Sequence, residues 1–182
     1  MKTVPDTFSH LQSNLSPDDS TYDGDPVDLA TGQHVLRKTD LVLSARLPIA
    51  IARGYQSGGK ASAGPFGKGT FFNLEKEAQS TESGLVITYT QGNGRTDLLS
   101  RQPDGTFQNT TIASLRGLVL SLQADGSKRI RWRDGTLEHY GTNGRLTQIE
   151  DRNGNTITIE RNGAGQILRI LDASGLRALT FQ

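Results

Sequence analysis

The amino-acid sequence predicts an all-β protein, an antiparallel meander of short hairpins. Three observations carry that expectation. Asp-Gly and Asn-Gly steps, the strongest short-range hairpin signals, punctuate the second half of the chain at near-constant spacing. Apolar residues in several stretches between turns follow a period of two, as on half-buried strands. The 21 glycines among 182 residues count against helices, because each disfavours a helix interior by about 1 kcal/mol.

Taken in order, residues 1–23 are polar and rich in Asp and Ser, and they read as an acidic, disordered leader. From Gly24 the pairs Asp25-Pro26, Thr31-Gly32, Leu47-Pro48 and Gly58-Gly59 mark turns between short apolar runs. Leu41, Leu43, Leu47, Ile49 and Ile51 occupy odd positions through this stretch and suggest half-buried strands. Leu85, Ile87 and Tyr89 alternate with Val86, Thr88 and Thr90, a strand on β-propensity alone.

Turn pairs then recur at Asp104-Gly105, Asp125-Gly126, Asp134-Gly135, Asn143-Gly144, Asn153-Gly154, Ala164-Gly165 and Ser174-Gly175. Both residues of an Asp-Gly or Asn-Gly step tolerate positive φ, so type I′ turns are expected. The steps after Gly126 lie 9, 9, 10, 11 and 10 residues apart, room for strands of about five or six residues. Within this region Gly144, Leu146, Ile149 and Gly154 recur 21 residues later as Gly165, Ile167, Ile170 and Gly175. Each period is one hairpin, a unit that needs stacked neighbours to bury its face. The residues of each Leu/Ile pair stand three apart, which puts them on opposite faces of a regular strand unless a bulge intervenes. Thr180-Phe181-Gln182 reads as part of a strand, and a partner strand from elsewhere is expected there.

Composition narrows the function. The net charge is +1, but residues 1–30 hold six Asp against Lys2 alone, leaving +6 on the remainder. The absence of Cys excludes disulfides, thiol nucleophiles and cysteine metal sites. The N-terminus has no apolar signal-peptide core, and no run reaches the roughly 18 apolar residues of a membrane span. Cytoplasmic residence, followed by export through some specialised route, is the expectation.

No catalytic constellation is evident. His10, His34 and His139 stand far apart in sequence and outside any ligand motif. Glu138 beside His139 is the one acid–base neighbour, and adjacent strand residues face opposite ways. The many turn carboxylates follow turn geometry rather than paired-acid catalysis. Gly64-Pro-Phe-Gly-Lys-Gly69 lacks P-loop spacing and is a loop with positional glycine needs. No enzyme activity and no cofactor are therefore expected. The candidate contact surface is Arg129, Arg131 and Arg133, which point one way along a strand while Ile130 and Trp132 point the other. Such a ladder can grip phosphates, guard a sheet against edge pairing, or contact cargo. Nucleic acid is disfavoured because the aromatic lies on the opposite face from the charges.

Tyr140-Gly-Thr-Asn-Gly-Arg-Leu-Thr-Gln-Ile149, followed by Asp151-Arg-Asn-Gly-Asn155, resembles the YD repeats of bacterial Rhs proteins. Gly141 stands in place of the family's Asp, and the second copy has Glu160-Arg161, so the repeats are degenerate. Five upstream blocks resemble, in order, the domain that opens the Rhs core: Gly24-Asp-Pro-Val-Asp-Leu-Ala-Thr-Gly32, Thr39-Asp40-Leu41, Leu47-Pro48-Ile49, Arg53-Gly-Tyr55 and Gly64-Pro-Phe-Gly-Lys-Gly69. The family follows the last block with Trp, where this chain has Thr70-Phe71-Phe72. Asp172-Ala-Ser-Gly-Leu176 faintly echoes the family's self-cleavage element, but lacks its Pro and falls on the repeat register as a turn.

The resemblance implies an opening domain over residues 24–103 and degenerate YD-type hairpins over 104–182, incomplete at the C-terminus. It implies the first part of a β-cocoon shell that encloses a C-terminal toxin for interbacterial competition, often delivered by type VI secretion. Partners would be the remaining repeats, the toxin cargo and a secretion-system adaptor. The rival reading is a free-standing β-rich module that binds carbohydrate or a cell-surface partner.

Overall fold

The computed structural model describes residues 22–23, 27–28, 32–58, 63–64 and 66–181. The acidic leader expected over residues 1–23 lies almost wholly outside the described residues, as does His10. The strands are β1 (Tyr22–Asp23), β2 (Val27–Asp28), β3 (Gln33–Leu43), β4 (Ile49–Gln56), β5 (Ala63–Gly64), β6 (Gly67–Lys68), β7 (Thr70–Phe72), β8 (Glu77–Ser80) and β9 (Val86–Thr90). They continue as β10 (Thr96–Arg101), β11 (Phe107–Gln108), β12 (Val119–Leu122), β13 (Lys128–Arg131), β14 (Leu137–Tyr140), β15 (Leu146–Glu150), β16 (Thr156–Arg161), β17 (Ile167–Leu171) and β18 (Ala178–Thr180). One 3-10 turn, Ala113–Leu115, is the only helical element among the described residues. The fold is all-β and antiparallel, as the turn spacing predicts.

The chain divides into two compact units. The first takes residues up to Val42, Ala50–Glu75 and Gln91–Arg95; the second takes Leu43–Ile49, Lys76–Thr90 and Thr96 onward. In the first, β1-β2-β3-β4-β7 form a five-stranded sheet and β5-β6 a two-stranded one. Phe71 lies across Gly54, where an added Cβ would stand 2.0 Å from the ring. The Asn73 side chain accepts from Ala52 N–H at 3.1 Å and donates to Ala50 O at 2.9 Å, extending the pairing of β4 with β7 by one side chain. Of the period-two run, Leu41 is 46% exposed, Leu43 and Ile51 are half-buried, and Leu47 and Ile49 are fully buried; Val35, Ala52 and Gly54 are the buried residues of β3 and β4 in the first unit.

The second unit is an uninterrupted meander, β8 to β18, each strand paired with the next. Its turns are not type I′. Every positive φ among the described residues belongs to a glycine, and the preceding Asp or Asn stays at negative φ. In one example Gly105 N–H donates to Gln102 O at 2.9 Å and Gln102 N–H to Thr106 O at 2.7 Å. The same pair of bonds recurs at Gln123–Ser127, Trp132–Thr136, Gly141–Arg145, Asp151–Asn155 and Asn162–Gln166. This is a type I turn closed by a left-handed glycine, the G1 bulge. The Asx side chain explains the preference: Asp104, Asp125, Asp134 and Asn143 each accept, through Oδ1, the N–H two residues on.

The 21-residue repeat is a bulged hairpin. Tyr140 pairs with Leu146 but His139 with Gln148, so Thr147 is the extra residue. One period later Arg161 pairs with Ile167 and Glu160 with Arg169, making Leu168 its equivalent. The bulge returns Leu146 and Ile149, and then Ile167 and Ile170, to the same inner face, where all four are buried.

The sheet also closes on itself. Leu146 N–H donates to Lys76 O at 3.1 Å and Ala78 N–H to Gly144 O at 2.8 Å, with Glu77 bridging Arg145. Thus Gly144–Leu146, leading into β15, bridge to Lys76–Ala78 at the start of β8, while Gln148–Glu150 pair with β16. Strands β8 to β15 form a ring, and β16 to β18 run on from it, with β18 at the edge. Ile87, Leu99, Phe107, Leu120, Ile130 and Ile149 fill the inner face at 1% exposure or less.

Candidate interaction face and buried polar cluster

Strand β13 separates two environments. Ile130 and Trp132 are buried on the inner face, while Arg129, Arg131 and Arg133 are exposed on the outer one. Arg129 stands between Ser121 and His139, and Arg131 between Val119 and Leu137, on the neighbouring strands. Arg133 sits past the strand end, second in the turn that opens at Trp132. The alternation reads directly from sequence because β13 carries no bulge.

The inner face holds a cluster that sequence reasoning did not assemble. Lys76 Nζ lies 2.6 Å from Glu138 Oε1, and both side chains are at most 2% exposed. Tyr140 Oη donates to Glu138 Oε2 at 2.5 Å and Tyr89 Oη to the same oxygen at 3.3 Å. The Lys76 ammonium is 5.9 Å from the centre of the Trp132 ring, a cation–π distance. Tyr89 meets Trp132 and Tyr140 edge-on, with centroids 6.4 and 6.5 Å away. Burial first, then the Glu138 charge, holds both tyrosine hydroxyls well above their ordinary pKa.

A buried carboxylate persists only when paired and hydrogen-bonded, and Glu138 has one cationic and two hydroxyl donors. Closed to solvent, the cluster joins Lys76, just before β8, to Glu138 and Tyr140 of β14 and Tyr89 of β9. Glu138 fills the position that Ile159 occupies one repeat later; an acid on an inward position was the available signal. Lys76, separated from it by 62 residues, carries no local mark.

The remaining candidates take modest places. His139 turns away from Glu138, and its Nε2 lies 3.3 Å from Glu150 Oε2. The His34 ring lies tilted at 58° to that of Tyr55, with centroids 6.4 Å apart. The described residues bring together no group of three His, Asp or Glu that could hold a metal. Within the glycine-rich block Gly64 pairs with Gly67, joining β5 to β6, and Gly69, just past β6, has φ 77°, where a Cβ would meet Gln56 O at 2.8 Å. Asp172–Leu176 is a turn, in which the Asp172 carboxylate accepts from Ser174 Oγ at 2.6 Å and Arg177 Nε at 2.8 Å. The Ser174 hydroxyl, then Arg177, pulls the Asp172 pKa down to about 2 despite burial that raises it.

Two comparisons bear on these features. A family described only as a domain of unknown function, DUF6531, matches residues 24–98. Double-stranded DNA deaminase toxin A of Burkholderia cenocepacia (strain H111) is 28% identical over 177 residues, covering 86% of this chain. The chain spans 11% of that protein's length, so the likeness is to one segment of a much larger toxin.

Proposed function

We propose that this chain is a non-enzymatic wall segment of an Rhs/YD-repeat shell that encloses a toxin, with residues 24–103 opening the wall and 104–182 supplying hairpin repeats. The observation that carries the reading is the bulged 21-residue hairpin repeat, set in an unbroken β8–β18 meander with one consistently buried face. A lone hairpin is marginal in water, whereas stacked ones bury a continuous face and can be extended indefinitely. The match to a small part of a toxin supports the same reading. The mechanism is steric: β18 lies at the sheet edge and offers backbone groups to a following strand, and a closed wall isolates cargo. Synthesis in the cytoplasm and export by a specialised secretion system, type VI among them, with an adaptor, complete the proposal.

The test is an exchange. The matching region of the Burkholderia toxin is replaced by this chain, and protease resistance of its deaminase region is compared with the parent. Retained resistance and survival of the producing cells is the expected result. A deaminase region laid open to protease, while this chain alone still melts cooperatively by circular dichroism, overturns the wall reading.

A further inference from the structure

Besides the exposed Arg46 and Arg101, the arginines of the second unit form two sets. Arg145, Arg161, Arg169 and Arg177 each meet a carboxylate or carbonyl within their own hairpins or the seam: Glu77, Gly165 O, Glu160 and Asp172. Arg116, Arg129, Arg131, Arg133 and Arg152 are all exposed, and none has a partner among the described residues.

These five are neighbours. Arg129 and Arg131 stand two residues apart on one face of β13, roughly 6.8 Å along the strand. The Arg133 side chain lies beside Gly117, where an added Cβ would be 3.2 Å from Arg133 Cβ, and Arg116 precedes that glycine. Arg152 lies beside Gly135 in the same way, at 3.3 Å. Arg133 and Arg152 occupy the same position in equivalent turns, so β14 pairing with β15 brings the two turns to one rim. Like charges held together disfavour the isolated surface, and an anionic partner relieves that repulsion.

The kind of anion follows from what lies between the arginines. Val119 and Leu137, both half-buried, flank Arg131 on the same row. Phe107, Trp132 and Tyr140 are all buried inward, so this rim offers no aromatic platform for stacking bases. Guanidinium forks interleaved with aliphatic surface suit a carboxylate-bearing protein face. We infer that the rim formed by Arg116, Arg129, Arg131, Arg133 and Arg152 is a docking surface for an acidic, partly aliphatic protein segment. The inference stands whether or not the wall reading does.

Fluorescence anisotropy with the full 182-residue chain tests it, using a labelled Glu-Glu-Leu repeat peptide and labelled double-stranded DNA of similar length at physiological salt. The peptide is expected to bind at least about tenfold tighter than the DNA. Arg129→Ala/Arg131→Ala/Arg133→Ala should weaken the peptide at least about tenfold, and Arg169→Ala, whose partner is Glu160, should not. Replacing the same three arginines by Lys keeps the charge but not the fork, and should retain only part of the affinity. Circular dichroism melting confirms that each variant is folded. DNA bound as tightly as the peptide assigns the rim to nucleic acid instead. Peptide binding that is absent, or unchanged in the folded triple alanine variant, overturns the inference.

Discussion

Removing one member of the Lys76–Glu138 pair should be the most damaging single change within the second unit. Glu138→Leu leaves the Lys76 ammonium buried at 2% exposure with its 2.6 Å partner gone, and it strips the acceptor from Tyr140 and Tyr89. Breaking a buried ion pair from one side costs about 3–5 kcal/mol. Each orphaned hydroxyl costs about 1–3 kcal/mol when it finds no substitute, but the terms overlap, so roughly 4 kcal/mol is the working figure. Against the ~5–15 kcal/mol of a typical domain, that is a large share. Lys76→Met should cost a similar amount, because Glu138 would stay buried with its 2.6 Å ammonium partner gone. The double variant Lys76→Met/Glu138→Leu should be less destabilised than the two single effects summed, since neither buried charge remains. Urea unfolding followed by tryptophan fluorescence is a direct assay, because Trp132 is the sole tryptophan and lies 5.9 Å from the Lys76 ammonium. Single variants that each cost under about 1 kcal/mol, with additive effects in the double, would refute the reasoning.

Other outcomes follow from the turns and the seam. Gly154→Ala meets open space and pays only for a left-handed alanine, about 1–2 kcal/mol, whereas Gly144→Ala also drives a Cβ to 2.6 Å from Ala78 O at the ring closure. Urea unfolding should therefore rank Gly144→Ala as clearly the worse of the two, and equal costs would count against the seam. Asp172 has a folded pKa lowered to about 2, so its contribution is complete above the unfolded value near 4 and fades as pH falls towards 2. The stability gap between the natural chain and Asp172→Asn should accordingly be widest near neutrality and close in acid; a gap independent of pH would contradict this assignment. Leu176, 90% exposed in its turn, should accept Ser within about 0.5 kcal/mol, and a larger loss would mean that it is covered in solution.

Local chemistry makes the all-β class, the turn positions and the alternation of β13 legible in the amino-acid sequence. Each Asp-Gly or Asn-Gly pair commits a few adjacent residues, and Ile130 and Trp132 against Arg129 and Arg131 need only the geometry of one strand. The turn type departs from expectation for an equally local reason. Positive φ is permitted at both residues of such a pair, but the Asx carboxyl, capping the N–H two residues on, holds the first at negative φ and leaves the left-handed region to glycine. The uneven spacing of Leu146 and Ile149 points to a bulge, and pairing across to β14 decides that Thr147 is the extra residue.

By itself, then, the sequence determined the strands, the turns that join them and which side of β13 carries charge, because these depend on residues within a few positions of one another. Only the tertiary structure decided that β8 returns to β15, that Lys76 meets Glu138 across 62 residues, and that Arg133 and Arg152 share a rim. Those contacts depend on the cumulative twist and register of eight strands, which no local pattern encodes.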